Sequence, residues 1–499
     1  MKRYILFRAI RSVVSIVLVT VIVYTLIYTL VPRSNIFKGD LQYSKVQANP
    51  DDRITYVDGV LERRGYINFY TQSELLNQIA KTDPDGADAY RNDGDTTAIE
   101  AWAADHESWQ VDKLPQSGEW YASRDVPIAE MVWKFFSGLV VIDHPWKVHD
   151  STNPDLKRYV KFENSPSAGF ALVGSGTEHR YLVYFNGSFP FIHQNIITLN
   201  LGTSYPAYSD TPVLDVISSG QGRKESEDVT FDTGLEASSS ADIYSAEYKS
   251  PSTFDRLEKA RYDVPYVPVG TINEDPSMLV TSFWMGLFGV IVAYAIGIPA
   301  AMTMARFKNK WPDALGIGIV TVLSATAGLS YIYFFRQVLG KLTTLPTTFS
   351  QYGGSDIRSY ILPILILGGM AVPSIIVWVR RFMIDQQTAD YVKFARAKGM
   401  SEREISFKHI FRNAIIPITQ GIPAAIILTI TGAVMTETIF VAPGMGKMLP
   451  DAILSYNNAM VVGLVFVFTT LSVVALFLGD LLLTVVDPRI SLNEKKSAA

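Results

Sequence analysis

The stretch DYVKFARAKGMSEREISFKHIFRN, residues 390–413, decides how this chain is read. Tyr391 to Lys398 are good helix formers, and Gly399 can take the positive φ that ends a helix. Ser401 is placed to cap a new helix, and Glu404 three residues on completes a capping box. That helix carries Ile405, Phe407, Ile410 and Phe411 among charged neighbours. The segment predicts two short helices meeting at a glycine corner, with a mixed apolar and basic surface. Two uses fit such a surface: a dock for a soluble protein, or an amphipathic pair lying on anionic lipid.

The corner sits between long charge-free runs. Such runs occupy residues 12–32, 277–305, 314–335, 361–379, 414–436 and 459–479. Spanning hydrocarbon takes about 20 mostly apolar residues in a helix. The pattern predicts an all-α polytopic membrane protein with six transmembrane helices. The mean hydropathy of +0.16 agrees. The first run follows Lys2, Arg3, Arg8 and Arg11, as a signal peptide would. It is longer than a signal core and ends at Tyr28, Pro32 and Arg33 without a small-x-small cleavage site, so a retained helix is expected.

Charge orients the helices. Lys and Arg accumulate on cytoplasmic loops. With the N-terminus inside, Arg306, Lys308 and Lys310 fall inside, as do Arg380 and Arg381 and the tail with Arg489, Lys495 and Lys496. Residues 380–412 hold eight Lys+Arg against four Asp+Glu and also fall inside. Residues 33–276 hold 37 Asp+Glu against 22 Lys+Arg, a net of −15, and fall outside. The expected division is 1–32 for the tail and first helix, 33–276 for an extracytoplasmic α/β insertion, 277–490 for a five-helix core, and 491–499 for a cytoplasmic tail. Within the insertion, residues 180–185 read as a strand from aromatic and β-branched content. Residues 218–240 read as a mobile loop, rich in Gly, Ser and Glu.

The second helix carries Gly289, Ala293, Gly297, Ala301 and Ala305 at a spacing of four. Such a stripe lets another helix backbone approach closely in lipid. Pro299, Pro363, Pro373, Pro417 and Pro423 lie in or beside the membrane segments, suiting either kinks or a water-filled conduit. Asp480 lies late in the sixth helix, where a structural hydrogen bond to neighbouring helices is the favoured reading over a functional one. Glu437 lies near the outer end of the fifth helix, with a gate or a structural role both open. No phosphate-binding loop occurs; residues 444–448 lack its spacing and its Ser/Thr. The absence of cysteine excludes disulfides and thiolate metal sites, and the histidines, His144 and His149 closest among them, are not spaced as ligands. No basic patch with interleaved aromatics suggests nucleic acid.

Asp390, Tyr391, the run Ala395–Gly399, Ser401, His409, Arg412, Asn413, Ala414 and Pro417 together resemble the EAA loop of bacterial ABC importer permeases. The likeness is to the oligopeptide/dipeptide branch, in which, as here at Lys393, the naming glutamate is absent. Residues 436–446, TETIFVAPGMG, resemble the segment after that family's fifth helix, and Asp487-Pro488-Arg489 its closing motif. Leu201–Ser204 and Pro212–Ile217 resemble the stretch before its second helix. The large insertions at about 40–190 and 221–270 depart from the common pattern and are similar to the Opp/Ami-type permeases of Gram-positive bacteria.

The resemblance implies a type I importer permease fold in the bacterial cell membrane. It implies that Asp390, Tyr391, Ala395, Ala397, Lys398, Gly399, Ser401, Glu404, Ile405, Phe407, His409, Arg412 and Asn413 form an ATPase-coupling loop, with residues 401–407 seated in a groove of the ATPase. The implied partners are a second homologous permease, two cytoplasmic ATPases, an extracellular peptide-binding lipoprotein, a peptide substrate and membrane lipid. This chain would hold no cofactor or metal, ATP and Mg being bound by the ATPases. Other readings stay open: dipeptides, nickel or another small solute as cargo, or a membrane-anchored surface sensor built on residues 33–276.

Overall fold

Lys2–Leu30 forms a single helix, α1, because nothing between Ser12 and Leu30 carries a charge or breaks the backbone. The computed structural model describes residues 2–142, 159–165, 169–174, 183–184, 197–230, 236–239, 241–245, 266–271 and 273–486. The insertion begins with α2 (Leu41–Val46), α3 (Pro50–Arg63), α4 (Gln72–Ile79), α5 (Pro84–Asp93), α6 (Thr97–Asp105) and α7 (Ile128–Ser137). Strands β1 (Ile67–Tyr70), β2 (Gln110–Lys113) and β3 (Trp120–Asp125) make an antiparallel sheet in the order β1-β3-β2. Leu75, Ile79, Ile99 and Ala122 are buried where α4 and α6 cover this sheet.

Further on, the insertion is built from short antiparallel pairs. β4 (Val140–Ile142) pairs with β8 (Ile197–Leu199), and β5 (Val160–Ser165) with β6 (Gly169–Gly174). Of the strand expected at 180–185, only β7 (Val183–Tyr184) lies among the described residues; it pairs with β6. The loop expected at 218–240 is corrected. Residues before it form α8 (Val213–Ser218), then β9 (Gln221–Lys224), β10 (Glu227–Thr230) and β11 (Glu236–Ser239), and β10 pairs with β11. β12 (Ala241–Ser245) pairs with β13 (Tyr266–Thr271), and β9 with β14 (Asn273–Asp275). Arg223, Lys224 and Asp228 are exposed. A ribbon wetted on both faces needs no apolar alternation, so it looks like a loop in composition.

The helical part follows as α9 (Met278–Arg306), α10 (Trp311–Ala325), α11 (Gly328–Leu342), α12 (Arg358–Gln387), α13 (Asp390–Ala397), α14 (Glu402–Ala414), α15 (Ile416–Gly432), α16 (Val434–Phe440), α17 (Met445–Leu454) and α18 (Asn458–Val486). Among the described residues, four helices are long and apolar enough to cross a membrane: α1 from Phe7, α9, α12 and α18. The third expected helix is a bent pair, and the fifth, expected over 414–436, is α15 with the start of α16. α10 and α11 meet at 110°, and α14 and α15 at 57°, so up to six spans result if each pair is one crossing. At the sharper bend Thr326 and Ala327 leave the helical region, and Thr326 Oγ1 donates back to the Val322 carbonyl.

The insertion docks on the bundle. Tyr66, Ile67 and Met131 are buried in one cluster with Tyr24 of α1 and Val462 of α18. Asn458 Nδ2 donates to the Tyr66 hydroxyl at 2.6 Å, and Asn457 Nδ2 to Ser204 Oγ at 2.7 Å. Within α3, burial alone pushes the Asp58 carboxyl up to about 6. An acid whose folded pKa is raised destabilises the fold once ionised, so stability falls as pH rises from about 4 to 6 and is level above. Asp58→Asn is expected to add about 1–2 kcal/mol at pH 7, a partly wetted site being discounted from the full shift, and nothing below pH 4. Thermal melts at pH 4 and pH 7 check this.

Candidate functional site: the corner at residues 390–413 and its anchorage

The corner forms through backbone chemistry at three residues. Gly399 has φ +76°, in the left-handed region. Its N–H donates to the Arg396 carbonyl at 2.9 Å, and the next N–H, of Met400, donates to the Ala395 carbonyl at 3.3 Å. This pair of bonds is the Schellman termination of α13. Ser401 then caps α14: its hydroxyl accepts from the Glu404 N–H at 3.3 Å, and the Glu404 carboxylate accepts from the Ser401 N–H at 3.3 Å. Arg396 donates to both oxygens of Glu402, at 2.8 and 3.3 Å, tying the two helices across the turn. In α13, the Lys393 ammonium donates to Asp390 at 2.8 Å and holds that carboxyl below its usual range.

One face of the corner is clamped. Val392, Ala395, Ile405, Ile410 and Ala414 are buried in a cluster with Met302 and Ala305 of α9 and Val379 and Met383 of α12. Gln387 Nε2 donates to the Ala305 carbonyl at 2.8 Å, and the Tyr391 hydroxyl to Gln386 Oε1 at 2.7 Å. The other face is free. Phe394 is 69% exposed and Phe407 56%, and Ala397, Lys398, Arg403, Lys408 and Arg412 are exposed around them. His409 and Asn413 are half-buried.

The sequence reading therefore needs one correction. Of Ile405, Phe407, Ile410 and Phe411, only Phe407 is exposed; Ile405 and Ile410 are anchors. Residues Ile405–Phe411 wind as a π-helix, so the 3.6-residue spacing does not say which side chains face outward. Phe394, on α13, was not singled out from the sequence and is the more exposed of the two aromatics.

A second link beside the corner is invisible in sequence. Arg380 Nε and Nη2 donate to the two oxygens of Asp313, each at 2.7 Å, and Asp313 also accepts from the Asn309 N–H at 2.9 Å. The pair ties α10 to the end of α12. The only cue is an acid in the first turn of a helix that follows a basic loop.

The small-residue stripe faces α12. Gly289, Ala293, Gly297, Ala301 and Ala305 are all buried. A Cβ at Gly297 would lie 2.7 Å from Ile375 Cγ2, and one at Gly289 3.4 Å from Leu367 Cδ2. The closest approach belongs to Gly368 of α12, whose Cβ would sit 2.6 Å from the Gly289 carbonyl oxygen.

Glu437 is fully buried in α16. Its carboxylate accepts from Ser282 Oγ of α9 at 2.7 Å and from the Lys447 N–H at 2.8 Å, at the start of α17. Ser282 Oγ in turn accepts from the Met445 N–H at 2.7 Å. A Cβ on Gly444 would collide with this carboxylate, which explains a glycine there. Asp480 of α18 pairs with Arg8 of α1 and accepts from Gln420 Nε2 of α15 at 2.9 Å, so it joins three helices. His144, His149, His179, His193 and Asp487–Arg489 lie outside the described residues. Among the described residues no group of three or more His, Asp or Glu side chains is arranged to hold a metal.

Residues 297–492 match the family model described as "Binding-protein-dependent transport system inner membrane component". The oligopeptide transport system permease protein AmiC of Streptococcus pneumoniae is 49% identical over 498 residues, 99% of each chain, so its likeness extends through the insertion. The glutathione transport system permease protein GsiC of Escherichia coli is 28% identical over 222 residues, 44% of this chain and 70% of that one. Among solved structures, an inward-facing MetNI methionine ABC transporter covers 42% of this chain and 96% of the matched chain, at 18% identity and a TM-score of 0.35. Membership of this family implies, in general, a partner permease, ATPase subunits and a substrate-binding protein. The chain belongs to the family of binding-protein-dependent ABC importer permeases that includes AmiC: it is a multi-pass membrane transport subunit and not an enzyme.

Proposed function

We propose that this chain is one half of the pore of an ATP-driven oligopeptide importer. A second homologous permease completes the pore, and two cytoplasmic ATPases bind ATP and Mg beneath it, so this chain needs no cofactor. The N- and C-termini are cytoplasmic. Residues 33–276 lie outside, where a peptide-binding lipoprotein delivers its cargo. The six spans include the bent pair α10 with α11, and α15, which follows the cytoplasmic corner.

The observation that carries this reading is the two-faced corner. Its inner face, with Ala395, Ile405 and Ile410, is locked into α9 and α12. Its outer face offers Phe394 and Phe407 in a basic setting. A lever needs such an arrangement: a stiff grip on the spans, and an apolar knob ringed by charge for a soluble partner to hold. A lipid-lying helix pair would need neither the Schellman turn nor the Arg396–Glu402 tie. Asp390, Tyr391, Lys398, Ser401, Glu404, His409, Arg412 and Asn413 shape and present that knob. Cargo is assigned from the full-length likeness to AmiC.

Cells lacking their own oligopeptide importer and supplied with the complete transporter are expected to take up a labelled oligopeptide and to lose that uptake when this chain is deleted. Uptake of nickel with no peptide uptake contradicts the cargo assignment.

A further inference from the structure

Between the insertion and the ends of α1 and α18 lies a cavity of about 280 Å³. Arg63, Arg64 and Lys134 line it, and no Asp or Glu does, although residues 33–276 carry a net −15. Lys134 is paired with Glu130 at 2.9 Å, whereas Arg63 is exposed and joins no ion pair among the described residues. Arg64 is the unusual member. Its side chain is 7% exposed. Nη2 donates to Asp210 at 2.6 Å, Nη1 to the Thr203 carbonyl at 3.4 Å, and the guanidinium lies 4.8 Å from the Tyr205 ring centroid. Its Nε is buried without a partner. A buried charged N–H left unpaired is costly, and a ligand acceptor removes that cost. Beside it, the Tyr66 oxygen accepts from Asn458, and burial raises the phenol's pKa, so its own hydrogen remains to be donated.

The surroundings are those of a membrane interface. α1 is the least enclosed span, only 11% of its apolar window being buried. Tyr24 lies six residues, about 9 Å, inside the end of α1. Phe135 of α7 packs on Tyr24 at 5.5 Å and on Phe466 at 6.5 Å, and Phe466 is eight residues, about 12 Å, inside α18. Tyr side chains at this depth mark the headgroup level of a bilayer.

We propose that the cavity holds the anionic headgroup of a phospholipid from the leaflet on the insertion's side. Arg64 Nε and the Tyr66 hydroxyl donate to the phosphate, Arg63 stands at the mouth, and the acyl chains run along the exposed face of α1 with Ile22 and Leu26. A soluble anion would use the same donors but not the apolar flank. The inference rests on the chain spanning a membrane and not on the cargo.

Native mass spectrometry of the full-length permease, titrated with phosphatidylglycerol, phosphatidylcholine or sodium phosphate, tests it. Phosphatidylglycerol is expected to be retained at about tenfold lower concentration than phosphatidylcholine, because both present phosphate oxygens but only phosphatidylcholine brings a cation against Arg63 and Arg64. Arg64→Lys keeps the charge but removes Nε, and is expected to weaken retention of both lipids about tenfold, the scale of one charge-assisted hydrogen bond. Arg64 also holds Asp210, so Arg63→Gln, an exposed change that leaves the fold alone, is the second arm and is expected to weaken the preference about threefold. Equal retention of the two lipids by the native chain, or retention unchanged by Arg64→Lys, overturns the proposal. So does displacement of phosphatidylglycerol by millimolar phosphate, which reassigns the cavity to a soluble anion. Peptide uptake is read separately, so failure of the transport reading leaves this result standing.

Discussion

Gly399→Val is expected to abolish ATP-driven uptake while the permease still inserts and folds. The residue sits at φ +76°, and a Cβ there would meet nothing within 4 Å. The penalty is therefore one of backbone alone: a β-branched residue held in the left-handed region costs about 1–3 kcal/mol. The chain escapes that cost by flipping the residue to negative φ. Doing so breaks the two bonds that end α13, from Gly399 to Arg396 and from Met400 to Ala395. It also pulls Arg396 away from Glu402, because that pair spans the turn. α14 would then swing relative to its clamp, and Phe407 would move relative to Phe394. Gly399→Asn is the control, since Asn tolerates this conformation, and it is expected to retain most uptake. Normal uptake by the Val variant contradicts the lever; loss in the Asn variant contradicts the backbone explanation.

Gly368→Val is expected to remove folded permease from the membrane. The new Cβ would lie 2.6 Å from the Gly289 carbonyl oxygen and 2.9 Å from Val292 Cβ. The first of these is backbone in a packed helix and cannot rotate away. α9 and α12 must separate, and the stripe from Gly289 to Ala305 loses the close contact that holds helices together in lipid. Overpacking typically costs about 1–3 kcal/mol, and this site lies at or beyond the upper end because the obstacle is rigid. Gly421→Ala supplies the comparison, for its Cβ would meet nothing within 4 Å and an unchanged yield is expected. Membrane-fraction yield and detergent melting read both. Equal yields for the two variants would contradict the packing account.

Much of the architecture was legible because lipid imposes simple rules. Charge-free runs located the four long apolar helices and the bent pair of α10 and α11. Gly399 and Ser401 with Glu404 announced a corner because their conformational chemistry is local. What escaped was non-local or unpatterned. The bend at Thr326 and Ala327 lies in an apolar run without proline or charge, so hydropathy reads straight through it. Gly368 is one glycine of a pair, with no stripe of its own, and matters only because Gly289 faces it. Asp313 and Arg380 are 67 residues apart and each looks like an ordinary charge beside a membrane segment. Ile405 and Ile410 face the bundle while Phe407 faces out, a division that the 3.6-residue period does not predict because α14 winds as a π-helix there. The ribbon strand at 221–224 shows Arg223 and Lys224 to water, so its composition reads as a loop. Glu437 was singled out as an acid near a membrane end, yet its use as a clasp for Ser282 and the start of α17 depends on three elements meeting.

The central claim is that the free face of the corner is held by a separate nucleotide-binding protein. The chain contains no cysteine, so Phe407→Cys creates a single reactive thiol at a position 56% exposed. Crosslinking from that thiol in the intact complex is the direct measurement. A maleimide–benzophenone reagent attached to it and photoactivated, so that the ketone inserts into a neighbouring C–H bond, is expected to join it to a co-purifying ATP-binding subunit. A complex in which the Phe407→Cys variant folds and transports, but yields a crosslink to lipid or to no nucleotide-binding subunit, would contradict the account.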